Sequence, residues 1–134
     1  MSLPALFVRL VAYRLSLLLT VVIFVLCLYD LPETPLDQVR FIDKYTHVLM
    51  YLAYGIVLWV ETGLRDLPLH KRWSVCVAWP VAMGVLIEVL QSLCTLHRHG
   101  DLLDVAANSL GVVLAVFVGR AACRFLSQHR SLLH

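Results

Sequence analysis

The sequence predicts an all-α fold: a small polytopic membrane bundle of four transmembrane helices, with both termini in the cytoplasm. Three observations lead there. Of 134 residues, 60% are hydrophobic and only 15% charged, and the mean hydropathy is +0.82. Four apolar stretches of membrane-crossing length recur along the chain. The Lys and Arg residues fall unevenly on the links between them. Soluble domains carry roughly 45–50% apolar and about 25% charged residues, and a globule this small has too much surface for its volume to hide the excess. The composition therefore excludes a disordered chain, a nucleic-acid arm and an ordinary soluble enzyme. A net charge of +2 is too small to imply a polyanionic partner. One integral membrane domain covering residues 1–134 is expected, without repeats or an internal boundary.

The four helices are expected at about 10–29, 47–64, 73–93 and 103–122. At 1.5 Å per residue each stretch approaches the roughly 30 Å of a hydrocarbon core. Backbone groups in lipid must be satisfied within the segment, so these are helices and not single strands. The link 30–44, DLPETPLDQVRFIDK, reads as a structured loop with a short interfacial helix over 35–42. The links 65–72 and 95–101 are short, and the tail from 127 is expected to fray. Arg9 and Arg14 precede an apolar core as in a signal peptide, but no small-x-small site follows, so the first helix is read as uncleaved. Cys27, Cys76, Cys94 and Cys123 show no paired spacing and read as small packing residues. Cys27 and Cys94 both fall near the outer surface, where an oxidising compartment would let them pair.

Orientation follows from Lys and Arg. Of the 11, eight lie on one side: Arg9, Arg14, Arg65, Lys71, Arg72, Arg120, Arg124 and Arg130. Arg40, Lys44 and Arg98 lie on the other. This puts the first and third links outside, in a multi-pass protein of the cytoplasmic (inner) membrane.

Polar residues at the lips of these spans carry the functional signal. An ionised side chain at the bilayer centre costs roughly 2.5–3.5 kcal/mol even on the gentler scales, so each needs a partner or a task. Asp43, Lys44, His47 and Tyr51 open the second helix, with Asp43, His47 and Tyr51 on one stripe at i, i+4, i+8. Glu88 and Gln91 close the third, Glu88 about 7–8 Å inside its outer end. Asp101, Asp104 and Asn108 open the fourth, after Arg98. Behind them Ala107, Gly111, Ala115 and Gly119 form a small-residue stripe that admits a close neighbour. All three groups map to the outer face. We expect His47, Glu88 and Asp104 to form one hydrogen-bonded cluster, within reach of Asn108 and Gln91, with Lys44 and Arg98 balancing the remaining carboxylates from the rim. Glu61, at the other end of the second helix, is expected to reach the interface or pair with Arg65.

Other chemistry finds little support. His47, Glu88, Asp104 and a loop histidine (His97 or His99) could chemically hold zinc. No fixed ligand spacing such as H-E-x-x-H is present, so neither a metal nor another cofactor is expected. There is no nucleophile elbow, P-loop or dinucleotide fingerprint. Trp59, Trp73 and Trp79 read as interface belts and packing.

Taken in order, DKYTHVLMYLAYG, then E-x-x-Q (Glu88, Gln91), Arg98, and D-x-x-x-N-x-x-G (Asp104, Asn108, Gly111) resembles the VanZ-like membrane proteins. The resemblance runs from about Asp43 to Gly119 and leaves the first helix generic. The chain departs from the family in carrying His97 before Arg98, where Pro or Gly is frequent. The resemblance implies a small helical membrane bundle of the bacterial cell envelope. The family takes its name from a member linked to low-level resistance to teicoplanin, so a connection to antibiotic resistance is raised but not transferred.

Two functions are expected to compete. In one, the outer cluster binds, or assists processing of, an anionic lipid-linked envelope component: Lys44 and Arg98 meet the anion, while Asp43, Tyr51, Gln91, Asp101 and Asn108 orient the remainder. In the other, the chain is a small membrane enzyme in which His47 and Glu88 do acid–base work and Asp104 orients His47. A transporter or flippase subunit is a third class, and it would need a partner or a homo-oligomer.

Overall fold

The computed structural model describes residues 13–29, 35–65, 67–95 and 100–131. They form four helices, and no strand occurs among them. We number these α1 (Arg14–Leu28), α2 (Ile42–Gly63), α3 (Leu69–Cys94) and α4 (Leu102–Ser131). A 3₁₀ turn, Pro35–Gln38, precedes α2 where a short interfacial helix was expected. Between them Phe41 takes a left-handed conformation, φ 62°, uncommon for a bulky residue, and the Arg40 guanidinium lies 4.8 Å above its ring.

The helices overrun the apolar stretches. α2 begins five residues before His47, and α4 continues past 122. Hydrophobic runs mark where lipid can cover a helix, whereas caps and backbone hydrogen bonds decide where it ends. Among the described residues two helices, Leu69–Cys94 and Leu102–Leu126, are long and apolar enough to cross a membrane, fewer than the four expected. The described part of α1 has only 15 residues, and the expected start of that helix lies outside the described residues. In α2, Asp43, Lys44, His47, Glu61 and three tyrosines dilute the apolar content.

α2 and α4 form the central pair. The small-residue stripe of α4 explains how closely they approach. A Cβ added to Gly111 would lie 2.5 Å from the Val48 carbonyl oxygen, and one on Gly119 would lie 2.6 Å from Trp59 Cβ. The core between the helices holds Tyr51, Tyr54, Leu58, Trp59, Met83, Ile87 and Val112. Outside, large apolar side chains face away from the protein: Leu93 is 76% exposed and Phe117 70%.

α3 is interrupted by a π segment, Ser74–Ala78, in which the Trp79 N–H donates to the Ser74 carbonyl. Pro80 supplies the reason. It has no N–H to give to the carbonyl four residues back, and its ring crowds that carbonyl, so the preceding turn widens. Trp79 Nε1 then donates to the Tyr54 hydroxyl at 2.9 Å, which also bonds Thr20 Oγ1 at 2.8 Å.

The lower end of α2 is closed by polar contacts. Glu61 is buried, and its two oxygens accept from the Leu15 N–H (3.2 Å) and from Ser16 Oγ (2.7 Å). Its expected pairing with Arg65 does not form, because Arg65 donates to the Glu61 backbone carbonyl instead. A carboxylate suits a helix N-terminus, whose first N–H groups lack intrahelical partners. Among the described residues no disulfide forms; Cys27 is buried and Cys94 exposed.

Candidate functional site

The other end of the bundle gathers ionisable groups from α2, α3 and α4. Asp43 and His47 stand one turn apart on α2, and Asp104 and Asn108 one turn apart on α4. The Gly111 contact brings these two faces together. His47, Asp104 and Asn108 are buried, while the side chains of Asp43 and Asp101 are 53% and 42% exposed and form the rim.

Lys44 is the hub. Its Nζ lies 2.5 Å from Asp104 Oδ1, 2.8 Å from Asp101 Oδ2 and 3.3 Å from Asp43 Oδ2. Burial works against its charge, but the hydrogen bonds to Asp101 and Asp104 prevail and hold its pKa above the usual lysine range. Lys44 in turn is the main reason that the Asp101 carboxyl is held below the usual carboxylate range, with the Leu103 N–H adding to the effect. Asp101 also caps α4: its Oδ1 accepts from the Leu103 N–H at 2.9 Å and its carbonyl from the Asp104 N–H at 2.9 Å.

His47 faces two ways. Nδ1 lies 2.9 Å from Asn108 Oδ1, and Nε2 points between Asp43 Oδ1 (3.6 Å) and Asp104 Oδ2 (3.9 Å). Glu88 approaches from α3. Its Oε2 accepts the Asp101 N–H at 2.9 Å, and its Oε1 is buried with no hydrogen-bond partner among the described residues. The Tyr51 hydroxyl and Asn108 Nδ2 are likewise buried without such a partner, and both lie beside Gly84, one turn from Glu88.

The expected residues gather at one end of the bundle, but among the described residues no hydrogen bond joins any two of His47, Glu88 and Asp104, so the single network expected of them does not form. His47 bonds Asn108 directly, while Asp104 stands across a gap from it. Glu88 ties down the start of α4 and makes no direct bond to either. Gln91 goes elsewhere: its Nε2 donates to the Cys27 carbonyl at 2.8 Å, joining α3 to α1. Its position one turn from Glu88 gave it the right helix face, but three residues of helix also rotate a side chain by about 300°, and the neighbour on that side is α1. Lys44, expected both to meet an external anion and to balance the carboxylates from the rim, is engaged by three carboxylates. Arg98, with His97 and His99, lies outside the described residues.

A groove of about 210 Å³ opens between α3 and α4. Val85, Val89, Leu102 and Val105 form its apolar walls, and Glu88 and Asp101 stand at its polar end. Over the described residues, fold and site thus define four helices with an apolar exterior and a charged cluster at one end, two of the helices being fit by length and composition to cross a membrane. Comparison with protein-family models, curated proteins and solved structures finds no match to it.

Proposed function

We propose that the chain is a multi-pass protein of the bacterial cytoplasmic membrane, of the VanZ-like kind. In this reading all four helices span the bilayer, both termini face the cytoplasm, and the cluster around Lys44 faces outward. Its work is to bind, or assist processing of, an anionic lipid-linked envelope component. The observation that supports this most directly is the groove between α3 and α4: its largely apolar lining suits an acyl or polyprenyl chain, and it includes Glu88 and Asp101 of the charged cluster, where the hydroxyls and amides of a sugar or peptide headgroup would meet it. The exposed apolar exterior and the 8-to-3 division of Lys and Arg agree with it.

A second reading, acid–base chemistry on the same lipid, is favoured by the buried, unpartnered Glu88 Oε1 and Tyr51 hydroxyl at the end of the bundle that holds His47. Lipid and glycan profiling of a deletion strain tests both. The expected result is a changed envelope lipid or glycan, restored by the wild-type gene. Incubating the full chain with the lipid that the profile names separates the two: an accessory protein binds it unchanged, whereas an enzyme converts it and loses that conversion in His47→Gln. An unchanged profile in the deletion strain overturns the proposal.

A further inference from the structure

Two carboxylates in the cluster each use one oxygen and hold out the other. Asp43 gives Oδ2 to Lys44 and turns Oδ1 toward His47 Nε2. Asp104 gives Oδ1 to Lys44 and turns Oδ2 toward the same nitrogen. The ammonium side is closed, with contacts of 2.5 and 3.3 Å. The imidazole side is not: its separations are 3.6 and 3.9 Å. An imidazolium hydrogen bond to a carboxylate would draw in to roughly 2.7–2.9 Å, and 3.6 Å is too long for a hydrogen bond of any kind.

The gap has the size of a metal ion. The three ligand atoms all lie within 4.8 Å of one another. Around a tetrahedral zinc with bonds of about 2.0–2.2 Å, neighbouring ligand atoms stand roughly 3.3–3.6 Å apart, so the carboxylate oxygens would draw in by up to about 1 Å to hold it. We propose that Asp43, His47 and Asp104 form a divalent-metal site, with zinc the ion best suited to one imidazole and two carboxylates.

Three further observations point the same way. Asn108 Oδ1 can only accept, so the proton of a neutral His47 sits on Nδ1, and the Nε2 lone pair is aimed at two anionic oxygens. That arrangement repels unless a second proton or a cation lies between them, and a second proton would draw the carboxylates in to hydrogen-bond distance. Among the described residues, Asp43, Asp101 and Asp104 share one ammonium, that of Lys44, while Arg40 is turned onto the Phe41 ring. Lastly, Glu88 lies within electrostatic reach of both His47 and Asp104 and keeps a buried carboxylate oxygen without a partner.

The site stands on this geometry alone. Only its use rests on the lipid reading: there the ion supplies the positive charge that Lys44 does not offer, and a headgroup phosphate oxygen takes the open fourth position.

Zinc alone, added to the metal-stripped full chain in detergent, tests the site. The wild type is expected to retain about one zinc per chain after dialysis, counted by elemental mass spectrometry. His47→Gln and Asp104→Asn are each expected to weaken binding by roughly 10–100-fold or more. Asp101→Asn is expected to leave it unchanged, because that carboxylate faces Lys44 and the Leu103 N–H. Cobalt in place of zinc should give visible absorption bands that His47→Gln abolishes. Thermal unfolding establishes that each variant is folded, and Asp43→Asn, at the exposed rim, replaces Asp104→Asn if the latter is not. A folded wild type that retains no zinc overturns the proposal, as does equal zinc affinity in the ligand variants. No lipid is present in this assay, so its failure leaves the lipid reading intact, and an unchanged lipid profile leaves the ion site intact.

Discussion

Glu61 and Glu88 invite comparison. Both are glutamates near the ends of helices, both are buried, and both turn a carboxylate onto the start of another helix. Glu61 spends both oxygens, one on the Leu15 N–H and one on Ser16 Oγ. Glu88 spends one on the Asp101 N–H and keeps the other. The same side chain thus closes one end of the bundle and leaves the other chemically open. A buried carboxylate alone does not distinguish scaffold from site. The count of its satisfied lone pairs does, because an unmet buried acceptor is costly and native structures carry few of them.

The comparison breaks most clearly by substitution at the closed end. Glu61→Ala leaves the buried Ser16 hydroxyl and the Leu15 N–H without their acceptor. A loss of about 3 kcal/mol is expected, given that hydrogen bonds to charged groups contribute roughly 1.5–3 kcal/mol each. Thermal or denaturant unfolding in detergent measures it, and a loss under about 1 kcal/mol would show that Glu61 does not hold α1 in place.

At the open end the expected change in stability is smaller. Glu88→Gln keeps an acceptor for the Asp101 N–H, and the new amide group meets no existing bond at the Oε1 position. Stability should change by less than about 1 kcal/mol, while function in the envelope assay falls. A loss as large as that of Glu61→Ala would make Glu88 a second structural clamp.

The smallest effect concerns pH. The depressed pKa of Asp101 means that its contribution is present above the ordinary aspartate pKa and lost as pH falls through the lowered value. The raised pKa of Lys44 means that its contribution is present below the ordinary lysine pKa and lost as pH rises through the raised value. The melting temperature contributed by this pair should therefore be flat from about pH 5 to about pH 10, with a shallow decline on the acid side that Asp101→Asn removes. A pair-dependent transition near pH 7 would contradict the assignment.

Helix periodicity made much of this legible. Spacings of four placed Asp43 with His47 and Asp104 with Asn108, and the stripe from Ala107 to Gly119 indicated the close helix pair on which their meeting depends. What periodicity leaves open is the rotation of each helix about its axis and the identity of its neighbours. Gln91 shares a helix with Glu88 yet faces α1. Glu61 finds Ser16, 45 residues away, in preference to Arg65 four residues on. Lys44 was expected to serve both an external anion and the carboxylates of the rim, and three carboxylates, one from its own helix and two from the start of α4, take it up. Such contacts depend on tertiary approach, and a residue's own segment carries no record of them.

The π segment in α3 sets an angular offset between the two halves of that helix. One additional residue in a turn amounts to about 100° of azimuth at 3.6 residues per turn. On the early side of the offset, Arg72 stacks 4.6 Å above the Trp59 ring and Trp73 packs edge-on against the same ring at 5.7 Å. On the late side, Met83 and Ile87 enter the core and Glu88 reaches the start of α4. A helix of uniform pitch has a single azimuthal phase, so it could not be adjusted for one of these neighbourhoods without turning away from the other. The widened turn before Pro80 gives α3 two independent phases, and the geometry of each end of the bundle can drift without detuning its opposite.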